Sequence, residues 1–154
     1  MIKYRKANID DVAILAKIRS IFLMEAGDIA SEIERSNVEI AIKQYFKSTL
    51  ENDNFVAWLA IYENDIIATS GLSFSVVPPS FKCLDGKVAY IMNMYTIPEY
   101  RKQGIGTKLL KRTVDEAKKR GYKRITLHAT DMGRALYEKY GFKDSHGYMV
   151  LDIE

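Results

Sequence analysis

A mixed α/β fold, with one sheet between helices on both faces, follows from three features of the sequence. Apolar residues recur at helical spacing in four segments and run as β-rich stretches in seven, in the order β-α-α-β-β-β-α-β-α-β-β. The chain has 154 residues, 47% of them hydrophobic and 28% charged, which suits one domain over residues 1–154 with one real core. No internal repeat, low-complexity stretch or linker divides it.

"IKYRKA" (2–7) reads as a short strand, and "NIDD" supplies cap residues, with Asn8 or Asp10 as the N-cap. Ile9, Val12, Ile14, Leu15, Ile18 and Phe22 carry a helix through Met24, broken by Gly27 and Asp28. Val38, Ile42, Tyr45, Phe46 and Leu50 make the stripe of a second helix over 37–50. Strands 55–62 and 66–76 form a hairpin turning at Glu63, Asn64 and Asp65. Pro78 and Pro79 open a loop that ends near Gly86. "KVAYIMNMYTI" is a strand stopped by Pro98. Ile105, Leu109, Leu110, Val114 and Ala117 line one helix face, with Gly121 as its C′ residue. "KRITLHA" is a strand. Thr130 or Asp131 caps a helix that runs through Tyr140, and "FKDSHGYMVLDI" (142–153) reads as a closing hairpin.

Composition narrows the function classes. No apolar run approaches the ~18 residues of a membrane span, and no apolar stretch follows the charged start, so neither a membrane partner nor a signal peptide is expected. Cys83 is the sole cysteine, and with His128 and His146 it matches no metal-ligand spacing, so no metal is expected. These features fit a cytoplasmic protein. The net charge of +3 is unevenly spread. Residues 99–124 hold ten cations against three anions, a local +7, and residues 25–53 hold seven acids against three bases, a local −4. The two regions can receive an anion and a cation respectively, or can be solvated helix surfaces.

The most telling stretch is "IPEYRKQGIGTKLLKR" (97–112). Bare backbone and positive charge meet where a helix begins, and a helix start offers unpaired N–H groups and a partly positive dipole end. That combination binds phosphate. It is not a Walker A loop, because one residue and not four separates Gly104 from Gly106. It is a poor dinucleotide fingerprint, because Leu109 stands where a third glycine belongs.

The pattern present is Arg-x-x-Gly-x-Gly, carried by Arg101, Gly104 and Gly106 after a strand ending in "TIPEY". With "ALYEKYGF" at 135–142 and the element order, the chain resembles the GNAT superfamily of N-acetyltransferases over nearly its full length. The resemblance implies a mixed, mostly antiparallel sheet of six to seven strands whose fourth and fifth strands are parallel and splay apart. It implies acetyl-CoA as co-substrate, its pantetheine arm lying in that V against backbone groups of Met94, Tyr95 and Thr96. The N–H groups of Gln103, Gly104, Ile105, Gly106 and Thr107 would wrap the pyrophosphate in the segment opened by Arg101, with charge added by Lys102 and Lys108. Thr130 stands where many members carry a pantetheine-binding asparagine; it can do part of that work or be only a cap.

Acetyl transfer to an amine needs a proton acceptor for the amine, donors for the oxyanion and a proton for the leaving thiolate. Tyr137 matches the family's tyrosine that serves as general acid; the competing reading is a core tyrosine beside Leu136 and Tyr140. The fourth strand lacks the glutamate that often acts as base. Asp28 or Glu32, a water chain, or no base at all are the alternatives left. His128 is expected to be a satisfied or half-exposed histidine and Cys83 an ordinary thiol, which points to direct transfer in a ternary complex. The acceptor-facing region is acidic, so the expected acceptor is a cationic small-molecule or peptide amine, met by Asp28 and Glu32. Homodimerisation is compatible with the chain. Two rival classes are a CoA- or acyl-CoA-binding module without catalysis and a nucleic-acid binder; the second is disfavoured because the basic face lacks interleaved aromatics.

Overall fold

The computed structural model describes residues 1–28, 30–145, 147 and 149–153. In chain order the elements are β1 (Lys3–Lys6), α1 (Val12–Glu25), α2 (Glu32–Glu51), β2 (Phe55–Tyr62), β3 (Asp65–Val76), β4 (Lys87–Thr96), α3 (Ile105–Lys119), β5 (Arg124–Leu127) and α4 (Asp131–Tyr140). Among the described residues the five strands form one sheet in sequence order. The first three pairings are antiparallel and β4–β5 is parallel.

Strand alternation sends side chains to two faces, and each face is covered. On one, Leu15 and Ala16 of α1 and Ile42 and Phe46 of α2 pack on Phe55, Ala57 and Leu59. On the other, Leu110, Val114 and Ala117 of α3 meet Leu72, Ala89 and Ile91, and Tyr137 of α4 joins them. The β2–β3 turn is tight because Glu63 and Asn64 both adopt positive φ, 49° and 78°, the geometry of a two-residue hairpin whose twist matches its strands. Asp65 is therefore already in β3, paired with Tyr62.

Two expectations need correction. The sheet has five strands and not six to seven, because no strand forms among the described residues of 142–153. That segment alternates in sequence, but Met149, Val150, Leu151 and Ile153 are exposed and bury nothing that would hold a ladder. His146 and Tyr148, part of the expected hairpin, lie outside the described residues. The second helix starts at Glu32 and not at 37, because Ser31 caps it: its Oγ accepts from the Glu34 N–H while the Glu34 carboxylate accepts from the Ser31 N–H at 2.7 Å. Among the described residues no helix is long and apolar enough to cross a membrane.

Candidate active site

The site begins where β4 and β5 part. Their pairing covers only Val88–Ile91 against Arg124–Leu127. Beyond it β4 runs on to Thr96 while β5 ends, so the β5-facing edge of Met92–Thr96 has no strand beside it among the described residues. The other edge stays tied to β3 through Thr69↔Tyr95 and Ala68↔Thr96. Between Met92 and Tyr95 the register slips, and Asn93 takes φ 57°. This bulge turns the strand, so Met94 packs with the cluster that holds Tyr137, while Tyr95 reaches α1. Asn93 is 1% exposed, and its carboxamide has no hydrogen-bond partner among the described residues. Met94, Tyr95 and Thr96 thus lie in the part of β4 beyond its pairing with β5, and the Thr96 carbonyl already accepts from Arg101 Nε at 2.8 Å.

The glycine loop follows a 3-10 turn at Pro98–Tyr100. Lys102 at φ 60° and Gly104 at φ 76° both lie in the left-handed region and curl the chain into α3. Gly104 is the N-cap and offers no side chain to cap with. The N–H groups that open α3, on Ile105, Gly106 and Thr107, therefore have no partner within the helix. A Cβ on Gly104 would meet nothing within 4 Å, so its bare face opens outward. Gly106 differs: a Cβ there would stand 3.4 Å from Leu136, so its smallness also lets α4 approach α3. Lys102, Gln103, Thr107 and Lys108 are exposed around this helix start.

Arg101 points the other way. Its Nη2 donates to Glu25 of α1 at 2.7 Å, and its guanidinium lies 5.3 Å from the Tyr95 ring centre. The Tyr95 hydroxyl donates to the same carboxylate at 2.8 Å. Burial works to raise the Glu25 carboxyl, but these two donors outweigh it and hold it below the usual range. Burial, with Glu25 beside it, pushes Tyr95 up to about 12. Arg101 therefore braces the loop to β4 and α1.

On α4, the Thr130 Oγ1 accepts from the Gly133 N–H at 3.3 Å, so Thr130 is an N-cap. Tyr137 is 8% exposed and packs in the cluster that holds Met94 of β4. Burial, with a smaller contribution from Tyr90, pushes it up to about 12, so it is a protonated donor at neutral pH. Tyr90 itself meets His128 across the β4–β5 junction, Oη to Nδ1 at 2.7 Å.

An open cleft of about 340 Å³ lies against α1 and the start of α2, lined by Ser20, Ile21, Met24, Glu25 and Arg35. Asp28 and Glu32 are exposed nearby in sequence but do not line it. Glu25 does, and sequence reasoning counted it only as part of a charge excess. Its role appears only when α1 meets β4 and the loop, across 70 and 76 residues.

Known acetyltransferases resemble this chain over most of its length. The model of the Acetyltransferase (GNAT) family matches residues 16–142. The uncharacterized N-acetyltransferase YhfO of Bacillus subtilis is 30% identical over 109 residues, 68% of this chain and 70% of that protein. The probable N-acetyltransferase camello of Xenopus tropicalis is 30% identical over 64% of this chain, which spans only 43% of that protein's length. A predicted acetyltransferase of Clostridium acetobutylicum, crystallised with acetyl-CoA, superimposes with a TM-score of 0.91 at 39% identity, covering 99% of this chain and 96% of that one.

Proposed function

From the premise that this chain belongs to the GNAT family of acetyltransferases, we propose that it moves the acetyl group of acetyl-CoA to a primary amine by direct transfer, with both substrates bound together. One observation carries this reading. The unpaired edge of β4 leads straight to an uncapped helix start, and the Tyr137 hydroxyl stands beside the same strand. The donors present suit the co-substrate: strand-edge backbone for the pantetheine amides, and bare N–H groups with Lys102 and Lys108 near them for the pyrophosphate. The structural relative with acetyl-CoA supports the choice of thioester. That thioester supplies an activated acyl carbon.

The chain's own groups supply the rest. N–H groups of the open β4 edge orient the acyl carbonyl, and the Tyr137 hydroxyl donates a proton to the departing sulfur. Glu25 faces the cleft, with Asp28 and Glu32 in the same acidic stretch, which favours a cationic amine; Arg35 is the cation among the lining residues. A binding module without catalysis gives no role to a tyrosine held protonated in the cluster beside β4. The expected setting is the cytoplasm, where a single thiol such as Cys83 stays reduced.

The test is release of free CoA from acetyl-CoA with polyamines, aminoglycosides and peptides as acceptors. Acetyl-CoA at ~100 times its Kd should stabilise the fold by ~2.7 kcal/mol. In Gly104→Ala that thermal shift should shrink severalfold, while the strain of a side chain at positive φ costs the free protein only ~1–2 kcal/mol. An unchanged ligand shift in the variant, or no acetylated amine in the panel, would sink the assignment.

A further inference from the structure

The cleft against α1 and the start of α2 is lined by two charges of opposite sign, Glu25 and Arg35, and only the first is balanced. Glu25 Oε1 accepts from the Tyr95 hydroxyl at 2.8 Å, and Oε2 accepts from Arg101 Nη2 at 2.7 Å. Arg101 thus cancels the negative charge. Among the described residues no carboxylate comes within ion-pair reach of the exposed Arg35 guanidinium. Acids close to it on α2 are engaged elsewhere: Glu39 pairs with Lys43 at 3.2 Å, and Glu34 accepts from the Ser31 N–H at 2.7 Å. Glu32 does not line the cleft. The charge left over in the cleft is therefore positive, although the wider stretch 25–53 sums to −4. Ile21 and Met24 add exposed apolar surface beside it. The volume of about 340 Å³ falls within the range of small-molecule sites, ~300–1,000 Å³.

We propose that the acceptor amine carries a carboxylate held by Arg35, and that a free amino acid with an apolar side chain is the class that fits. This rests on the acetyl-transfer reading above and narrows its acceptor. A guanidinium is charged at every working pH, and its planar fork matches the two oxygens of a carboxylate. Each Glu25 oxygen keeps a lone pair after its present hydrogen bond, so the same carboxylate can also accept from the N–H groups of the amine. Ile21 and Met24 face the side chain. Glu25 is the lining residue that touches β4, through Tyr95, so a molecule held at both charges has its amine at the β4 end. A polyamine would instead bring a second cation against Arg35, and that repulsion excludes it.

The experiment compares leucine with isoamylamine, the same skeleton without the carboxylate, and with spermidine. The two monoamines differ in basicity, so the readout is how the ratio of their kcat/KM values changes with residue 35. Arg35→Ala should lower the leucine-to-isoamylamine ratio by about 10²-fold, the scale of a lost bidentate ion pair. Arg35→Lys keeps the charge without the fork and should recover part of it. The melting temperature should hardly move, because the site is exposed and alanine favours a helix. A second measurement needs no turnover: leucine is titrated into the protein holding CoA, which has no acetyl group to give. Leucine should bind there, and Arg35→Ala should weaken it at least 10-fold. A ratio that ignores residue 35, or a wild type that acetylates spermidine in preference to leucine, would overturn the proposal and leave acetyl transfer standing. Acetylation of none of the amines would end the acetyl-transfer reading, and leucine binding that does not depend on Arg35 would overturn the proposal in that case too.

Discussion

Tyr137 owes its chemistry to what surrounds it. Its ring packs edge-on to Phe142 with centroids 6.0 Å apart, and burial, aided by Tyr90, holds the hydroxyl's proton to about 12. Tyr137→Phe keeps that packing, so the melting temperature should hardly move. Turnover should fall on the order of 10²-fold with acetyl-CoA affinity unchanged, because the loss belongs to the transition state. With the donor titrating near 12, the alkaline side of the wild-type rate profile should show no fall from Tyr137 up to about pH 10. Stopped-flow measurement of thiol release across pH checks both statements. An ordinary tyrosine pKa would have placed a fall near 10, and only the folded surroundings move it. Tyr137, Gly104 and Gly106 were legible because each belongs to a short motif. Glu25 was not: an acid on an exposed helix turn reads as surface until Tyr95 and Arg101 arrive beside it. The Tyr90–His128 contact was hidden for the same reason, with 38 residues between its members.

Among the elements, helix starts were the hardest to place and the most informative. The stripe of apolar residues located the body of α2, but its first turn is exposed and has no stripe to show. Ser31 and Glu34 set that boundary through reciprocal capping, a local signal three residues apart that the apolar pattern does not contain. Ser31→Ala should therefore cost ~1 kcal/mol and lower the melting temperature by roughly 3 °C, leaving acetyl-CoA affinity intact. Calorimetry with and without ligand separates the two effects. α3 is the opposite case, because Gly104 leaves its start uncapped. Only this half of the contrast was legible in the sequence, since a glycine has no side chain to cap with. The extent of β5 was overestimated: "KRITLHA" is strand-like throughout, but only four residues find a partner.

At the scale of the whole molecule, a chain of ion pairs ties β1 and the ends of α2 and α3 together. Lys6 meets Glu116 at 2.8 Å, Glu116 meets Arg120 at 2.9 Å, and Arg120 meets Asp53 at 2.8 Å. Near the first helix, Arg5 grips Asp11 at 2.7 Å. Burial works to raise Glu116, but Lys6 and Arg120 hold it below its usual range; Arg5 does the same for Asp11, and Arg120 for Asp53. A carboxyl lowered on folding stabilises the protein above its unfolded pKa, and that stability drains as pH falls through the folded value. Acid unfolding should thus set in below about pH 4. Glu116→Gln should lose about 1 kcal/mol at pH 7, because Lys6 is partly exposed and Arg120 keeps Asp53, and show a flatter decline between about pH 5 and pH 2, measured by urea titration at each pH. Sequence supplied the charges and the element order, but which acid faces which base depends on the packing of α3 across β2 and β3.

The short pairing between β4 and β5 has a consequence for how the molecule breathes. Among the described residues the four of β5 are laddered on one side only, and all four are just half-buried, whereas β3 is laddered along both edges. Local opening is cheapest where few hydrogen bonds and little apolar contact resist it. Amide deuterium uptake should therefore be faster at Ile125–Leu127 than at Leu59–Ala60. The hydroxyl assigned as proton donor rides on α4, directly after this loosely secured strand. Acetyl-CoA lying along β4 would close the gap from within, and its binding should slow exchange in β5 and α4 well beyond the residues it touches.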